Sequence, residues 1–219
     1  MKKFLLLLCF ALTTAALSAQ SAQYTAAMTK ALAELDSAKS SVDFQASANA
    51  FSRIAAAEPN EWLPLYYNAF SNLIAGFILF HSDAPKALLT IDQAQISLDK
   101  AKPIAPQESE LAVLQAYILI GRLMENPMAK GAEITPQVFG ELGKAAALNP
   151  DNPRAPFLHG TYVLNMPEFY GGGAANAKPH FEKAAALFEK ETSRGLLPHW
   201  GKADNAKYLN QLSQPAKGN

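Results

Sequence analysis

Cysteine is almost absent from this sequence. Its single cysteine, Cys9, lies in an apolar run near the N-terminus, and four histidines are spread over the 219 residues. Without a cysteine pair no intramolecular disulfide can hold the fold, so hydrophobic packing must stabilise it. The histidines lack the close spacing of zinc ligands. His159 and His180 fall on one predicted helical hairpin and can approach each other, but no third ligand is in view. We therefore expect no metal site.

An excess of charge of either sign is also absent. The 19 lysine and arginine residues balance 19 aspartate and glutamate residues. Loss of Lys2 and Lys3 with the N-terminal segment would leave 17 basic and 19 acidic side chains, a formal net charge of −2. A nucleic-acid partner normally requires a clustered basic surface. We therefore expect no nucleic-acid partner.

The N-terminal segment has the pattern of a cleavable signal peptide. Lys2 and Lys3 precede an uncharged apolar run, Phe4–Leu17, and the small residues around Ala19 offer a cleavage point. The alternative is a membrane anchor, but the run is shorter than the ~20 residues that a spanning helix needs. The sequence predicts a signal peptide over residues 1–19 and a mature protein in the periplasm or outside the cell.

A recognised catalytic constellation is missing too. No nucleophile-elbow motif is present, and the carboxylate pairs Glu108/Glu110 and Glu189/Glu191 are interpreted as solvated helix faces. Gly171–Gly173 could present backbone N–H groups to an anion, but no strand precedes it and no lysine follows at phosphate-loop spacing. We expect no catalytic residues, no enzymatic activity and no cofactor.

What the sequence does contain is a nine-residue pattern that recurs along the chain. Leu142–Pro150 (LGKAAALNP) is echoed by Phe51–Pro59, Leu98–Pro106 and Phe181–Glu189, each with a large apolar residue first and a small or apolar residue three places on. Residues three apart lie on one face of a helix, so that face can pack closely on a neighbour. Three of the four segments end in proline, which cannot continue a helix interior.

This order resembles the tetratricopeptide repeat. A small or apolar residue precedes each large one by four places, and a small residue follows each proline by ten. The large residues lie 47, 44 and 39 positions apart, whereas the family repeats about every 34 residues. The resemblance implies an all-α fold, an α-α superhelix of about four helical hairpins with a C-terminal capping helix, and a protein that binds other proteins. The matching residues are Ser47 and Phe51, Ala94 and Leu98, Val138 and Leu142, Ala177 and Phe181, and then Ala69, Ala116 and Gly160.

Apolar periodicity and capping residues predict where the helices lie in a single domain over residues 20–213, followed by a disordered tail at 214–219. Asp83 should cap one helix, and Thr135 and Asn152 should cap helices that begin at the prolines after them. Between two helices, Glu125–Glu133 is predicted to be a loop. The other predicted helices are Tyr24–Ser40, Asp43–Glu58, Glu61–Phe80, one ending near Lys102, Glu108–Met124 and a last one near Asp204–Leu212.

The segment Glu61–Phe80 is apolar on nearly every face, so a membrane span is an alternative to a buried helix. Pro64, Asn68, Ser71 and Asn72 interrupt it, however. A helix that lies inside a solenoid between neighbours also has apolar residues all round. We expect no membrane span in the mature chain.

Two segments suggest a face that binds a partner protein or peptide. The predicted loop Glu125–Glu133 and the glycine-rich segment Asn165–Ala175 follow the first helices of two hairpins, so they should lie on one face of the array. Aromatic residues outside helices are frequent recognition anchors, although they can also plug the open end of a last repeat. The candidate partner-binding residues are Asn126, Lys130, Glu168, Phe169, Tyr170, Gly171, Gly172 and Trp200.

Two functions therefore remain open. The first is a non-catalytic interaction module that holds a partner in a groove formed by the first helices of the hairpins, or on the loop face. The second is a small-ligand-binding accessory protein, for example of an uptake system, with an enclosed pocket. The pocket residues predicted for the second function are Tyr66, Tyr67, Tyr162 and Tyr170.

Overall fold

The computed structural model of the chain describes residues 22–192 and 195–214. The predicted signal peptide and residues 215–219 of the predicted tail lie outside these ranges. The described ranges contain nine α-helices and one short 3-10 helix, and no strand. The helices are α1 (residues 22–37), α2 (Ser41–Ala57), α3 (Trp62–Leu79), α4 (Ala84–Ala101), α5 (Ser109–Leu123), α6 (Pro127–Leu148), α7 (Arg154–Asn165), α8 (Ala174–Lys190) and α9 (Lys202–Ser213), with the 3-10 helix at Glu168–Tyr170.

Consecutive helices pack as pairs, and the pairs stack side by side. Helix α3 packs on α4, α5 on α6 and α7 on α8, while α2 also packs on α3. The first helices of these pairs, α3, α5 and α7, contact one another in that order, and α9 covers α8 at the C-terminal end. The predicted all-α superhelix of helical pairs with a C-terminal capping helix is confirmed.

The recurring nine-residue pattern marks the buried contact of the second helices. Leu98 and Ala101 are fully buried, and so are Phe181 and Ala184 at the same step of the last pair. Steric crowding explains why the facing helix carries a small residue at this step, because a Cβ atom at Gly160 would lie 3.0 Å from the Phe181 ring. A larger residue there would force α7 and α8 apart.

Two asparagines of α3 form hydrogen bonds inside the protein. Asn68 donates from Nδ2 to the Ala48 carbonyl at 2.7 Å, and its Oδ1 accepts from the Ser97 hydroxyl, which ties α2 and α4 to α3. Asn72 donates to the Asn68 carbonyl at 3.0 Å. No helix in the described ranges is long and apolar enough to cross a membrane.

One predicted loop is wrong. Residues 127–133 belong to α6, which begins at Pro127, and Asn126 caps it by accepting from the Ala129 amide at 3.0 Å. Pro136 lies inside this helix, and the Thr135 hydroxyl contacts the Tyr162 hydroxyl at 2.6 Å instead of capping a new helix. Asn126-Pro127 is itself a cap followed by a proline in the first turn, the same signal that correctly marks α4 at Asp83.

Two hydrophobic clusters fill the superhelix, one centred on α1 to α4 and the other on α6 to α8. Tyr117 of α5 and Trp200, just before α9, are partly buried and pack against both clusters. These two aromatic side chains therefore bridge the two clusters.

Candidate functional site

A short segment crosses the face formed by α3, α5 and α7. We call residues 195–201, between α8 and α9, the strap. Tyr67 donates from its hydroxyl to the Leu196 carbonyl at 2.8 Å, and Arg154 donates from Nη2 to the Pro198 carbonyl at 2.6 Å. His199 Nε2 lies 3.1 Å from the Asp36 carboxylate at the end of α1. The strap is thus tied to helices from both ends of the array.

Trp200 is the central side chain of the strap. Its Nε1 donates to the Tyr66 hydroxyl at 2.8 Å. Its ring stacks on Phe70 and Tyr117, with ring centroids 5.3 and 5.7 Å apart. Trp200 therefore fills part of the groove between the first helices. This groove is one of the places predicted to hold a partner peptide.

A buried arginine supports the strap from below. Arg154 is fully buried and donates from Nη1 to Glu110 at 3.2 Å and to Glu191 at 2.7 Å. Its guanidinium also lies 5.6 Å from the Trp200 ring centroid. Burial alone would lower the pKa of Arg154, but the carboxylates of Glu110 and Glu191 raise it above its usual value.

The assignment of Glu110 and Glu191 to solvated helix faces is therefore wrong. Glu110 has no exposed side-chain surface and Glu191 only 14%. For Glu110, the only signal in the sequence was its place as an acidic residue near the start of a helix that is otherwise apolar on all faces. Spacing along the chain does not show that an arginine 44 residues later would meet it.

Beside the strap lies a cavity of about 410 Å3, which we call the aromatic cavity. Its volume falls within the range of about 300–1,000 Å3 typical of small-molecule pockets. It opens between α3, α5, α7 and α9, with Trp200 at one edge. The lining residues are Phe70, Ile74, Tyr117, Phe157, Leu158, Thr161, Trp200, Asp204, Lys207, Tyr208 and Gln211.

The chemistry of this lining suits a flat apolar ligand that carries an acidic group. Rings from five separate elements surround the space, and aromatic rings favour stacked or edge-on contacts with other rings. Burial raises the pKa of Tyr117 and of Tyr208, which further disfavours the phenolate form of both side chains. Among the described lining residues, Lys207, exposed at the α9 side, is the one cation and Asp204 is the one acid.

A larger cleft of about 710 Å3 lies between α1 and α2. It offers a single ring, Tyr24, and its rim mixes Lys30 and Arg53 with Glu34 and Glu58. Mixed charge and one aromatic residue give little basis for a specific ligand. The aromatic cavity, although smaller, is the better candidate site.

The chain is similar to a solved structure of the HusA haemophore from Porphyromonas gingivalis. The two chains share 29% sequence identity over 90% of this chain and 97% of HusA, with a TM-score of 0.77. No protein-family model and no curated protein sequence matches. The likeness to HusA thus covers nearly the whole length of both chains.

The structure does not bring the four predicted pocket tyrosines together. Tyr66 and Tyr67 are buried neighbours, with ring centroids 5.2 Å apart, at the strap. Tyr162 faces the other side of α7, where it meets Thr135, and Tyr170 is 71% exposed. Helical periodicity does not distinguish a tyrosine that faces the groove of α3, α5 and α7 from a tyrosine that packs between helical pairs.

The predicted partner-binding residues are divided between two places. Phe169 and Tyr170 lie on the 3-10 helix, 79% and 71% exposed, with ring centroids 4.2 Å apart, and Glu168, Gly171 and Gly172 complete that turn. Asn126 caps α6, and Lys130 in the first turn of that helix pairs with Glu125. Trp200 packs in the groove. A role in partner binding stays a prediction for the exposed turn.

His159 and His180 do approach each other. Their rings stack with centroids 3.9 Å apart and planes 15° from parallel, and Phe139 packs on His159. Burial, together with His180 and Lys183, lowers the pKa of His159 to about 4. In the part of the chain that the structure describes, no three histidine, cysteine or acidic side chains converge on a common point.

Proposed function

We propose that this protein is an exported carrier that binds haem or a related porphyrin in the aromatic cavity. The observation on which the proposal rests is that cavity, rimmed by rings from α3, α5, α7, α9 and the strap. The likeness to a haemophore over nearly the whole length of both chains supports the same ligand class. The small-ligand alternative is thereby favoured over the peptide-binding module, because the strap already fills part of the groove.

We further propose that the macrocycle rather than its metal supplies the contacts. Haem iron is commonly held by histidine, cysteine, methionine or tyrosinate. The described residues of the cavity lining include none of the first three, and the raised pKa values of Tyr117 and Tyr208 oppose formation of a tyrosinate. Stacking and apolar burial would then hold the ring, while Lys207 would pair with a carboxylate of the ligand.

The remaining expectations fit this proposal. A signal peptide over residues 1–19 would deliver the carrier to the periplasm or the exterior, and capture of a ligand requires no catalytic chemistry. We propose that the helical pairs are degenerate tetratricopeptide-like repeats. The close approach of Gly160 to Phe181, at the small position of the pattern, supports this relationship.

The proposal is tested by titration of the mature chain, residues 20–219, with ferric haem and with metal-free protoporphyrin. The Trp62→Phe variant should be used, since it leaves Trp200 as the one tryptophan. We expect both ligands to quench Trp200 fluorescence with comparable affinity and to shift the porphyrin absorbance band. Saturable binding of neither ligand would overturn the proposal. Binding of haem alone, with a phenolate-to-iron absorbance band, would overturn the macrocycle mode.

A pair of variants locates the site. Tyr117→Ala should weaken porphyrin binding about tenfold, since ~1.4 kcal/mol is the scale of a lost aromatic contact. Phe169→Ala with Tyr170→Ala is the matched control, because it removes two rings that are exposed on another edge. Loss of binding in the control, but not in Tyr117→Ala, would move the site to the exposed turn.

A second candidate function rests on that turn. Phe169 and Tyr170 are exposed to solvent on a short 3-10 helix. Backbone N–H groups of this turn donate hydrogen bonds to the carbonyls of Pro167 and Glu168. Ordered exposed aromatics are typical anchors for a protein partner. A carrier must also deliver its ligand, so a partner docked at this turn is compatible with the first function.

A further inference from the structure

We propose that the strap is a gate for the aromatic cavity, so that ligand entry and exit both require residues 195–201 to lift from the helices. This inference rests on the proposed function and adds a mechanism for loading and release. Trp200 forms one edge of the cavity and belongs to the strap. Displacement of the strap therefore opens the cavity without separating any pair of helices.

Individual contacts, rather than a ladder of hydrogen bonds, hold the strap in place. The described strap residues form no helix or strand, and four side chains tether them: Tyr67 to Leu196, Arg154 to Pro198, Asp36 to His199 and Tyr66 to Trp200. Segments with few tethers open locally at a lower free energy than packed helices do.

The ends of the strap favour movement as one unit. Gly195 and Gly201 both adopt positive φ values, 62° and 101°. Glycine populates this region at no steric cost, which makes such positions suitable hinges. Arg154 stays fixed by Glu110 and Glu191 when the strap moves, so its guanidinium remains in place to recapture the Pro198 carbonyl.

A gate and a fixed wall predict different kinetics. If binding requires the open state, a variant that raises the open population speeds association and dissociation by the same factor and leaves the affinity nearly unchanged. If the strap is only a wall, the loss of a tether speeds dissociation alone. The two rates therefore separate the alternatives.

The variant for this test is Tyr67→Phe, which removes the hydroxyl that holds Leu196 and keeps the ring that stacks on Phe51 at 5.1 Å. The matched control is Tyr162→Phe, a buried tyrosine whose hydroxyl partner, Thr135, lies away from the strap. Stopped-flow mixing with metal-free protoporphyrin should show both rates raised about fivefold in Tyr67→Phe, which corresponds to ~1 kcal/mol. The control should retain wild-type rates.

A measurement without ligand keeps this inference separate from the proposed function. In the Trp62→Phe background, acrylamide should quench Trp200 more strongly when Tyr67→Phe is added, because the strap opens more often. Unchanged quenching and unchanged rates would overturn the gate while porphyrin binding persists. A rise in dissociation alone would make the strap a wall. Absence of porphyrin binding in the wild type would overturn the proposed function and leave the quenching result as the test of opening.

Discussion

Arg154 and Glu110, 44 residues apart in the chain, form an ion pair in which neither side chain has exposed surface. Nη1 of the arginine lies 3.2 Å from Oε1 of the glutamate and 2.7 Å from Glu191. The pair joins the first turns of α5 and α7, and the arginine also holds the strap. One buried cation therefore links two helical pairs to the segment that borders the candidate site.

Replacement of Arg154 by methionine should be strongly destabilising. The change leaves the buried Glu110 without its cation, and loss of one partner of a buried pair typically costs about 3–5 kcal/mol. Urea unfolding followed by circular dichroism measures the loss. Lys178→Met, on the exposed face of α8, is the control and should change the unfolding free energy by less than about 0.5 kcal/mol. Equal effects of the two changes would contradict the structural role of Arg154.

The histidine stack should make the protein less stable in mild acid. The pKa of His159 falls from 6.5 to about 4 on folding. The unfolded chain therefore binds more protons between these values, and the unfolding free energy decreases as pH falls from about 6.5 to about 4. Asparagine at position 159 should reduce this decrease. His81→Asn, in an exposed turn, should retain it when urea unfolding is compared at pH 7.5 and 4.5.

Lys207 should recognise an acidic group of the ligand. Lys207→Gln is expected to weaken binding of a porphyrin that carries carboxylates about two- to fivefold, the scale of an exposed ion pair of ~0.5–1 kcal/mol. The same variant should bind the methyl ester of that porphyrin as the wild type does. Equal weakening for acid and ester would show that the lysine acts by packing rather than charge. Lys178→Gln, on α8, is the matched control.

The small residue of the repeated pattern can be tested with two glycines in helices. Gly160→Ala places a Cβ atom 3.0 Å from the Phe181 ring, and overpacking of this kind costs about 1–3 kcal/mol. Gly143→Ala in α6 meets no atom within 4 Å, so it should stabilise the protein by up to about 1 kcal/mol through helix propensity. Thermal unfolding of the two variants should therefore shift in opposite directions.

The sequence alone determined the class of fold and most helix boundaries. The recurring pairs of large and small residues, such as Leu98 with Ala101, are local in the chain, and helical periodicity places both members on one face. Capping signals are local too, so Asp83 marks the start of α4 correctly. The prediction of a loop at 127–133 was wrong because two pairs of a capping residue and a proline, Asn126-Pro127 and Thr135-Pro136, lie within about ten residues. Only the first pair marks the start of a helix.

Only the tertiary structure decided the candidate site. Trp200 meets Tyr66 across 134 positions of sequence, and Arg154 meets both carboxylates that looked like surface residues. These contacts depend on how the helical pairs stack and on where the strap crosses them. No spacing within the chain encodes that geometry, because the site is assembled from single residues on five separate elements. The sequence therefore showed that helices would stack, and the stacking itself placed the aromatic residues around one cavity.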